Sequence, residues 1–541
     1  MDSNGTTSRC QPIPAPTSAF VRPLLTDMYQ ISMAFAYWKA GRHNDPAVFD
    51  LFFRNNPFQG EYTVFAGLDE VIRFVANYKL SDDEISFLRQ TFPHLGEEFL
   101  SWLAKLDGSK LKIYAVDEGS VVFPRVPIIR VEGPLALAQL METTFLVLVN
   151  YASLVATNAA RHRVAVGDDT LLLEFGLRRA QGPDGGMSAS RYSFVGGFDA
   201  TSNVAAGHMF GIDVRGTHAH SFVTSFTSIS EIRDPTLIDA HGESVDFLGR
   251  CLGYRKKLGA NTNDSELAAF VSFAQAFPRQ FLALIDTYNT LTSGLYNFLA
   301  VALALYKSGY QPVGIRLDSG DLAYFSNRCR AAFKEVSTRF GVPFDNLMIA
   351  ASSDINEDVL QALKLQGHSI DCFGVGTHLV TCQKQPALGC VYKLVEINGK
   401  PRIKVSADLE KMTIPGRKDA YRLYNSQGIP IIDLLTNATD PIPEPGARIR
   451  CHHPTEPQKR CDVIPARVEP LIRLQFNEGQ DIGPRFSLPD LRVRVREQVR
   501  MLRPDHLRYL NPTPYKVSLT AGLFSFMQSL WDQETPVEIV D

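Results

Sequence analysis

The nine residues VGIRLDSGD (Val313–Asp321) decide how the rest of the chain is read. A short aliphatic run suited to a buried strand ends abruptly in an acid, a serine and a glycine, which is turn chemistry. The same texture recurs at LLLEFG from Leu171, IDVRGT from Ile212, FLALIDTY from Phe281, NLMIAASSD from Asn346 and IDCFGVGT from Ile370. Helix-like stretches such as LYNFLAVALALYKSG and NEDVLQALKLQG lie between them. Parallel strands need a crossover long enough to hold a helix, so strand, polar end and helix in repetition predict an α/β fold: a TIM-like β/α barrel over residues 151–390. In such a barrel the loops after the strands converge on one face, where chemistry collects. The strand-end residues are Glu174 and Arg178, Thr217 and His220, Asp286, Arg316 with Asp318 and Asp321, Ser352 with Asp354, and Gly374 with Gly376 and Thr377.

Outward from that core the texture changes. Residues 1–20 are polar and proline-spaced and are expected to be a flexible tail. Residues 21–150 read as mixed α+β, with strands FDLFFR and YTVFAGL and helices LSDDEISFLRQTF, capped by Ser81, and LGEEFLSWLAKL. The apolar segment PLALAQLMETTFLVLVNYASLVA from Pro134 is interrupted by Gln139, Glu142 and Asn150, so it reads as a buried core helix rather than a membrane span. Residues 391–541 open with VYKLVEINGKPRIKV, where Asn398 and Gly399 sit between two alternating runs as a tight hairpin turn does. A sheet-rich part follows, with proline-rich loops and a terminal helix, LRVRVREQVRMLRPDHL.

Composition excludes some functions. The 541 residues are 45% hydrophobic and 21% charged, enough for two or three globular domains. Lysine and arginine number 55 against 58 acidic residues, so no broad cationic field exists to hold nucleic acid or an anionic membrane. The arginines of the terminal helix are accordingly a solvated face. Eight cysteines lie scattered without a CxxC pair and without a cationic leader ahead of them, which points to a reducing, cytosolic setting. CHHPTEPQKRC (Cys451–Cys461) could be read as a zinc loop, but its spacing matches no common ligand pattern.

Several strand ends favour anions and hydroxyls. In FGVGTHL the glycines admit close backbone approach, and Thr377 at a helix start offers free amides and a positive dipole end to a phosphate. Arg316 can fork onto a carboxylate or phosphate, and a cation at the end of an inward strand needs an anionic partner. Asp318 can accept hydrogen bonds from sugar hydroxyls; the alternative for Asp318 and Ser319 is capping of the next helix. EFGLRRAQGPDGG adds the Phe175 ring and the Arg178 and Arg179 forks, one of which is expected to face bulk water. Two histidines in GTHAHSF (Gly216–Phe222) are, taken alone, solvated loop residues.

The segments LLTDMYQ, FDLFFRNNPF, YASLVATNAAR, EFGLRRAQGPDGG, ATSNVAAG, GTHAHSF, GIRLDSGD, GVGT and VYKLVE resemble, in the same order, nicotinate phosphoribosyltransferases. The resemblance runs from about residue 22 to near the C-terminus. It implies an irregular barrel with an accessory domain built from the N-terminal and C-terminal regions, in a homodimer with shared active sites. It further implies that nicotinate and phosphoribosyl pyrophosphate give nicotinate mononucleotide and pyrophosphate, the first step of NAD synthesis from nicotinic acid. ATP as co-substrate and Mg²⁺ or Mn²⁺ are implied with it. Carried over residue by residue, His220 is similar to the histidine that ATP phosphorylates, and Thr217 and Tyr29 to nicotinate contacts, Tyr29 across the dimer interface. Phe175 is similar to the aromatic partner of the pyridine ring, Arg316 to the cation at the nicotinate carboxylate, and Asp318 to the ribose contact. Arg178 then faces pyrophosphate, and Gly376 and Thr377 the phosphoribosyl phosphate. His218 departs from the family pattern, in which the slot usually holds Leu or Met. Two rivals stand beside this reading. Nicotinamide phosphoribosyltransferases resemble the same barrel but carry an acid where this chain has Ser202, and a serine tolerates a carboxylate. The other rival is a non-catalytic metabolite-sensing barrel.

Overall fold

The computed structural model describes residues 12–405 and 411–535. It divides into two compact units, one running up to Ala160 and resuming at Lys384, the other spanning Arg161–Gln383. These boundaries fall about ten residues inside and seven residues before the composition shifts at 150 and 390, because the helix Glu142–Val166 runs on without a break where the apolar texture ends.

The Arg161–Gln383 unit is a mixed α/β fold around one parallel sheet. Its strands, in spatial order, are Leu282–Leu284, Gly314–Leu317, Met348–Ala351, Cys372–Val375, Leu171–Glu174 and Ala200–Thr201, and every neighbouring pair is parallel. Five of the six runs expected from the sequence form these strands. IDVRGT does not: it joins the sheet only through a single bridge from Val214 to Thr201, with Asp213 and Arg215 exposed on either side. Its place is taken by the two-residue strand Ala200–Thr201, too short to leave a periodic signal. The crossover helices form as expected. Leu295–Lys307 is almost wholly buried, as its apolar run from Phe298 to Leu305 requires, and Glu357–Gln366 starts on an Asn356 cap that accepts the Val359 amide.

The other unit interleaves the two ends of the chain. Pro46–Phe53 sits inside a seven-stranded antiparallel sheet, flanked by Cys390–Ile397 on one side and Ile129–Pro134 on the other. Buried on both faces, it reads as an apolar run broken only by Asp50 rather than as an alternating one. Asn398 and Gly399 both take positive φ, 50° and 68°, as a two-residue hairpin turn demands, and the turn leads into Lys400–Pro401. A second sheet of six strands is built from residues 418–520, and at its centre Arg422 meets Asp433 through two 2.8 Å bonds, 3% and 0% exposed. Ser81 heads Asp82–Thr91 with a complete capping box, its reciprocal partner being Glu84.

Three expectations for this unit change. The YTVFAGL run supplies only the two-residue strand Thr63–Val64. Leu488–Arg500 is not the terminal helix, since Ala521–Glu534 follows it on a Thr520 cap. Of the tail, residues 1–11 lie outside the described residues, but Thr17 is tied by its amide and hydroxyl to Glu70 at 2.9 and 3.0 Å. The apolar stretch from Leu135 to Val166 is long and apolar enough to cross a membrane, and 61% of its apolar window is buried inside the protein.

Candidate active site

At the carboxyl ends of the parallel strands the side chains are held to one another before any ligand enters. Arg316 and Asp318 are two residues apart, so the strand period places them on one face. Arg316 donates to Asp318 Oδ1 at 2.9 Å, to Ser352 Oγ at 2.8 Å and to Thr217 Oγ1 at 3.1 Å. The anionic partner required by an inward cation is therefore its own near neighbour. Three of the five guanidinium N–H groups are committed, leaving one on each terminal nitrogen. Burial works against charge on Asp318, but the hydrogen bonds from Ser352 and Arg316 outweigh it and hold the carboxyl below its ordinary value. Neither Asp318 nor Ser319 caps the next helix; Asp321 does, accepting the Tyr324 amide at 2.9 Å.

The histidine loop packs against the neighbouring strand end. His220 Nδ1 lies 3.0 Å from Thr287 Oγ1, so one ring nitrogen is fixed. Its Nε2 faces two carboxylates, 3.6 Å from Asp318 Oδ2 and 4.0 Å from Asp286 Oδ1. The Asp286 side chain is 1% exposed; its Oδ2 accepts the Asp318 amide and the Ser319 hydroxyl, while its Oδ1 has no hydrogen-bond partner. Asp286 and Thr287 come from the sheet-end segment FLALIDTY. Thr287 was not singled out from the sequence, because a threonine following a strand carries no signal without its partner across the sheet.

His218, two residues earlier, turns inward. Its Nε2 accepts the Leu284 amide at 3.2 Å, doing for an edge strand what a neighbouring carbonyl does elsewhere in a sheet. The ring packs edge-on to Phe273 at 4.8 Å and near Phe222 and Phe270. Burial above all, with the charges of Arg316 and His220, pushes its pKa down to about 4, so it accepts as a neutral ring.

Two adjoining cavities open here. One, of about 410 Å³, is lined by Phe175, Arg178, Ser202, Thr217, His220 and Arg316 among others. The second, of about 230 Å³, shares Phe175, Arg178, Arg316 and Asp318 and adds Arg179, Ser352 and the Gly374–Thr377 segment. Phe175 lies with its ring centroid 5.4 Å from the Arg316 guanidinium carbon. Gly374 makes this possible, since a Cβ there would stand 2.4 Å from the Phe175 ring. Glu174, 1% exposed, clips the site together, accepting from the Gly176 amide and from the hydroxyls of Ser190 and Thr201. Arg178 and Arg179 both line a cavity and are both exposed to solvent, and neither pairs with an acid among the described residues. The helix at Thr377 is one turn long, Thr377–Thr381, so its dipole is smaller than the sequence suggested and its amides are what it offers. Tyr29 lies on the helix Met28–Lys39 in the other unit, 47% exposed, and lines neither cavity. Among the described residues no group of three His, Cys, Asp or Glu side chains is placed to hold a metal ion.

An arginine fork, an aromatic ring, cations without acidic partners and a histidine facing carboxylates thus gather at the ends of one parallel sheet, an arrangement suited to a transferase acting on anionic substrates. Residues 24–150, 171–428 and 417–527 match, respectively, the N-terminal domain, the family profile and the C-terminal domain of nicotinate phosphoribosyltransferase, and the chain belongs to that family. It is 54% identical over 532 residues to the nicotinate phosphoribosyltransferase of Dictyostelium discoideum, covering 97% of this chain and 90% of that one. With the Homo sapiens enzyme it shares 45% over 529 residues, 96% of this chain and 98% of the other. The crystal structure of human nicotinic acid phosphoribosyltransferase superposes with a TM-score of 0.85 at 44% identity, covering 94% of this chain and all of that one. A nicotinate-nucleotide pyrophosphorylase from Pyrococcus furiosus, 20% identical with a TM-score of 0.60, shares the fold.

Proposed function

We propose that the chain joins nicotinate to phosphoribosyl pyrophosphate, yielding nicotinate mononucleotide and pyrophosphate, with ATP hydrolysis coupled through a phosphohistidine at His220. The observation that carries this is the Arg316 fork, locked by three hydrogen bonds beside the Phe175 ring and opening on the same cavity as His220. In this reading the nicotinate carboxylate takes the two uncommitted Arg316 N–H groups and its ring lies on Phe175, with Thr217 and Ser202 beside it. Asp318 holds ribose hydroxyls, and Arg178, Gly376 and Thr377 take the phosphates.

The pyridine nitrogen attacks the anomeric carbon with its own lone pair, and pyrophosphate leaves with the electrons of the broken bond. No general base is needed. Positive charge grows on the sugar as negative charge grows on the leaving group, so cations placed on the phosphate side stabilise the transition state selectively. The scattered donors suit a Mg²⁺ carried in on the pyrophosphate, with the unpartnered Asp286 oxygen as the protein group able to hold it; bound there it would neutralise departing charge. His220 lines the cavity with Nδ1 held by Thr287 and Nε2 beside Asp318 and Asp286, and since the reaction needs no general base the ring suits a phosphoryl acceptor better than a proton shuttle. Nε2 would displace ADP from the terminal phosphorus of ATP, and water would later return phosphate.

The finer architecture belongs to the same reading. The bridge at Val214 and the His218 to Leu284 bond lie between the two edge strands of the sheet, supporting an irregular barrel closed by a side chain where backbone pairing runs out. The unit containing both chain ends is the accessory domain. A homodimer would bring Tyr29 of a second copy to the site, in a cytosolic enzyme. Mass-resolved competition between nicotinate and nicotinamide for mononucleotide formation tests the substrate. Nicotinate is expected to be preferred; preferential nicotinamide mononucleotide, or no turnover by the purified chain, would overturn the proposal.

A further inference from the structure

The segment CHHPTEPQKRC folds as a hairpin whose strands Ile449–His452 and Arg460–Val463 pair antiparallel, and the register sets Cys451 directly opposite Cys461. Opposed residues in such a ladder have Cα atoms about 4.5–5.5 Å apart, inside the roughly 4.4–6.8 Å window that a disulfide spans. The Cys451 thiol donates to the Ile449 carbonyl at 3.8 Å, a weak bond that leaves its sulfur available to the facing strand. Cys451 is 1% exposed and Cys461 half-buried. No other pair of cysteines in the described residues shares such a register; the remaining free cysteines, Cys251, Cys329, Cys372, Cys382 and Cys390, are buried on separate elements.

Both cysteines line a cavity of about 490 Å³ that is rich in cations. Arg125, Lys459, Arg460 and Lys516 border it against a single acid, Glu61, whose carboxyl is pushed up by burial. Lys459 is engaged by Glu456 at 2.8 Å, but no acid among the described residues pairs with Arg460 or Lys516. Burial drives the Cys451 thiol up to about 12, with Lys516 working in the opposite direction. Reaction therefore begins at the more accessible Cys461, which borders the cavity beside Lys459 and Arg460. The cavity shares no residue with the strand-end cavities.

We propose that Cys451 and Cys461 form a dithiol modification site oxidised by an anionic disulfide of the glutathione class, whose carboxylates the cavity cations attract. Cys461 gives up its proton to water, and its sulfur attacks the incoming disulfide. That S–S bond breaks, and one half departs as a thiolate that is then protonated. Cys451 then attacks the Cys461 sulfur, the Cys461 bond to the second half breaks, and that half leaves as a thiolate that takes up the proton Cys451 releases. Two protein thiols become one disulfide while one small disulfide becomes two thiols, and no further oxidant is required. Because the linked strands are already paired and the loop between them is short, the bond adds little to the fold and stays reversible.

The test exposes reduced full-length protein to oxidised glutathione, followed by alkylation and peptide mapping. Trypsin cuts after Lys459 and Arg460, so the two cysteines stay together only if linked. A Cys451–Cys461 linked peptide is expected, forming several-fold more slowly at high salt and in the double variant Arg460→Gln, Lys516→Gln. Cys451→Ser is expected to stop at a glutathione adduct on Cys461. Persistence of that adduct in the unmutated protein, without the linked peptide, would overturn the pairing. Equal rates for oxidised glutathione and neutral hydroxyethyl disulfide at low salt would overturn the role of the cations.

Discussion

Replacing Arg316 with lysine keeps the positive charge but removes the fork, and its consequence can be worked from the geometry. The guanidinium spends three N–H groups on Ser352, Thr217 and Asp318 and retains one on each terminal nitrogen, a spacing that matches the two oxygens of a carboxylate. A lysine ammonium can meet at most one of those oxygens and cannot also hold Asp318 and Ser352. One hydrogen bond to a charged partner is worth about 1.5–3 kcal/mol, which at about 1.4 kcal/mol per decade raises the KM for nicotinate roughly 10- to 150-fold. The assay is initial-rate mononucleotide formation with nicotinate varied at saturating phosphoribosyl pyrophosphate and ATP. Nicotinamide, which carries no carboxylate, serves as the internal control and should lose much less. Thermal unfolding of the variant checks that the sheet end survives. A correctly folded Arg316→Lys protein with an unchanged KM for nicotinate, or with equal losses for both vitamers, would refute the assignment.

Four further outcomes follow from the same structure. His220→Ala should abolish ATP stimulation and acid-labile labelling by terminally labelled ATP while leaving slow, ATP-independent synthesis; full stimulation in the variant contradicts the phosphohistidine. Ser202→Asp places a second anion in the cavity of Arg316 and should raise the nicotinate KM tenfold or more, on the order of the cost of opposed like charges, with nicotinamide spared. His218 has a folded pKa of about 4 against an ordinary 6.5, so the unfolded chain takes up its proton first. Stability from this group is present above about pH 6.5 and lost as pH falls toward 4, by about 3 kcal/mol in all. Denaturant unfolding at about pH 7.5 and pH 5 should show a smaller pH loss in His218→Gln than in the parent. Arg422→Met strands Asp433, 0% exposed, and should cost about 3–5 kcal/mol in denaturant unfolding with the strand-end chemistry intact.

The parallel core was legible because each long strand ended in residues that cannot continue a sheet, as at Asp318 and Gly320 after Gly314–Leu317. Where that contrast is missing the reading failed. IDVRGT carries the same apolar start, yet its exposed Asp213 and Arg215 keep it from more than one bridge. Ala200–Thr201 has no periodicity to detect, being held instead by hydrogen bonds to the buried Glu174. The site was legible as a set of strand ends, but not its internal wiring. Nothing local says that Arg316 binds Ser352 or that Thr287 holds His220, since those partners lie 36 and 67 residues away. His218 shows the same limit: a histidine in a polar loop reads as solvated until an edge strand with an unpaired amide is placed against it.

The most direct test is a crystal structure of the protein with nicotinate mononucleotide and pyrophosphate. The nucleotide carboxylate is expected on the two free Arg316 N–H groups, with its ring against Phe175 and phosphate at Gly376–Thr377. A carboxylate bound away from Arg316, with the ring off Phe175, would contradict that placement.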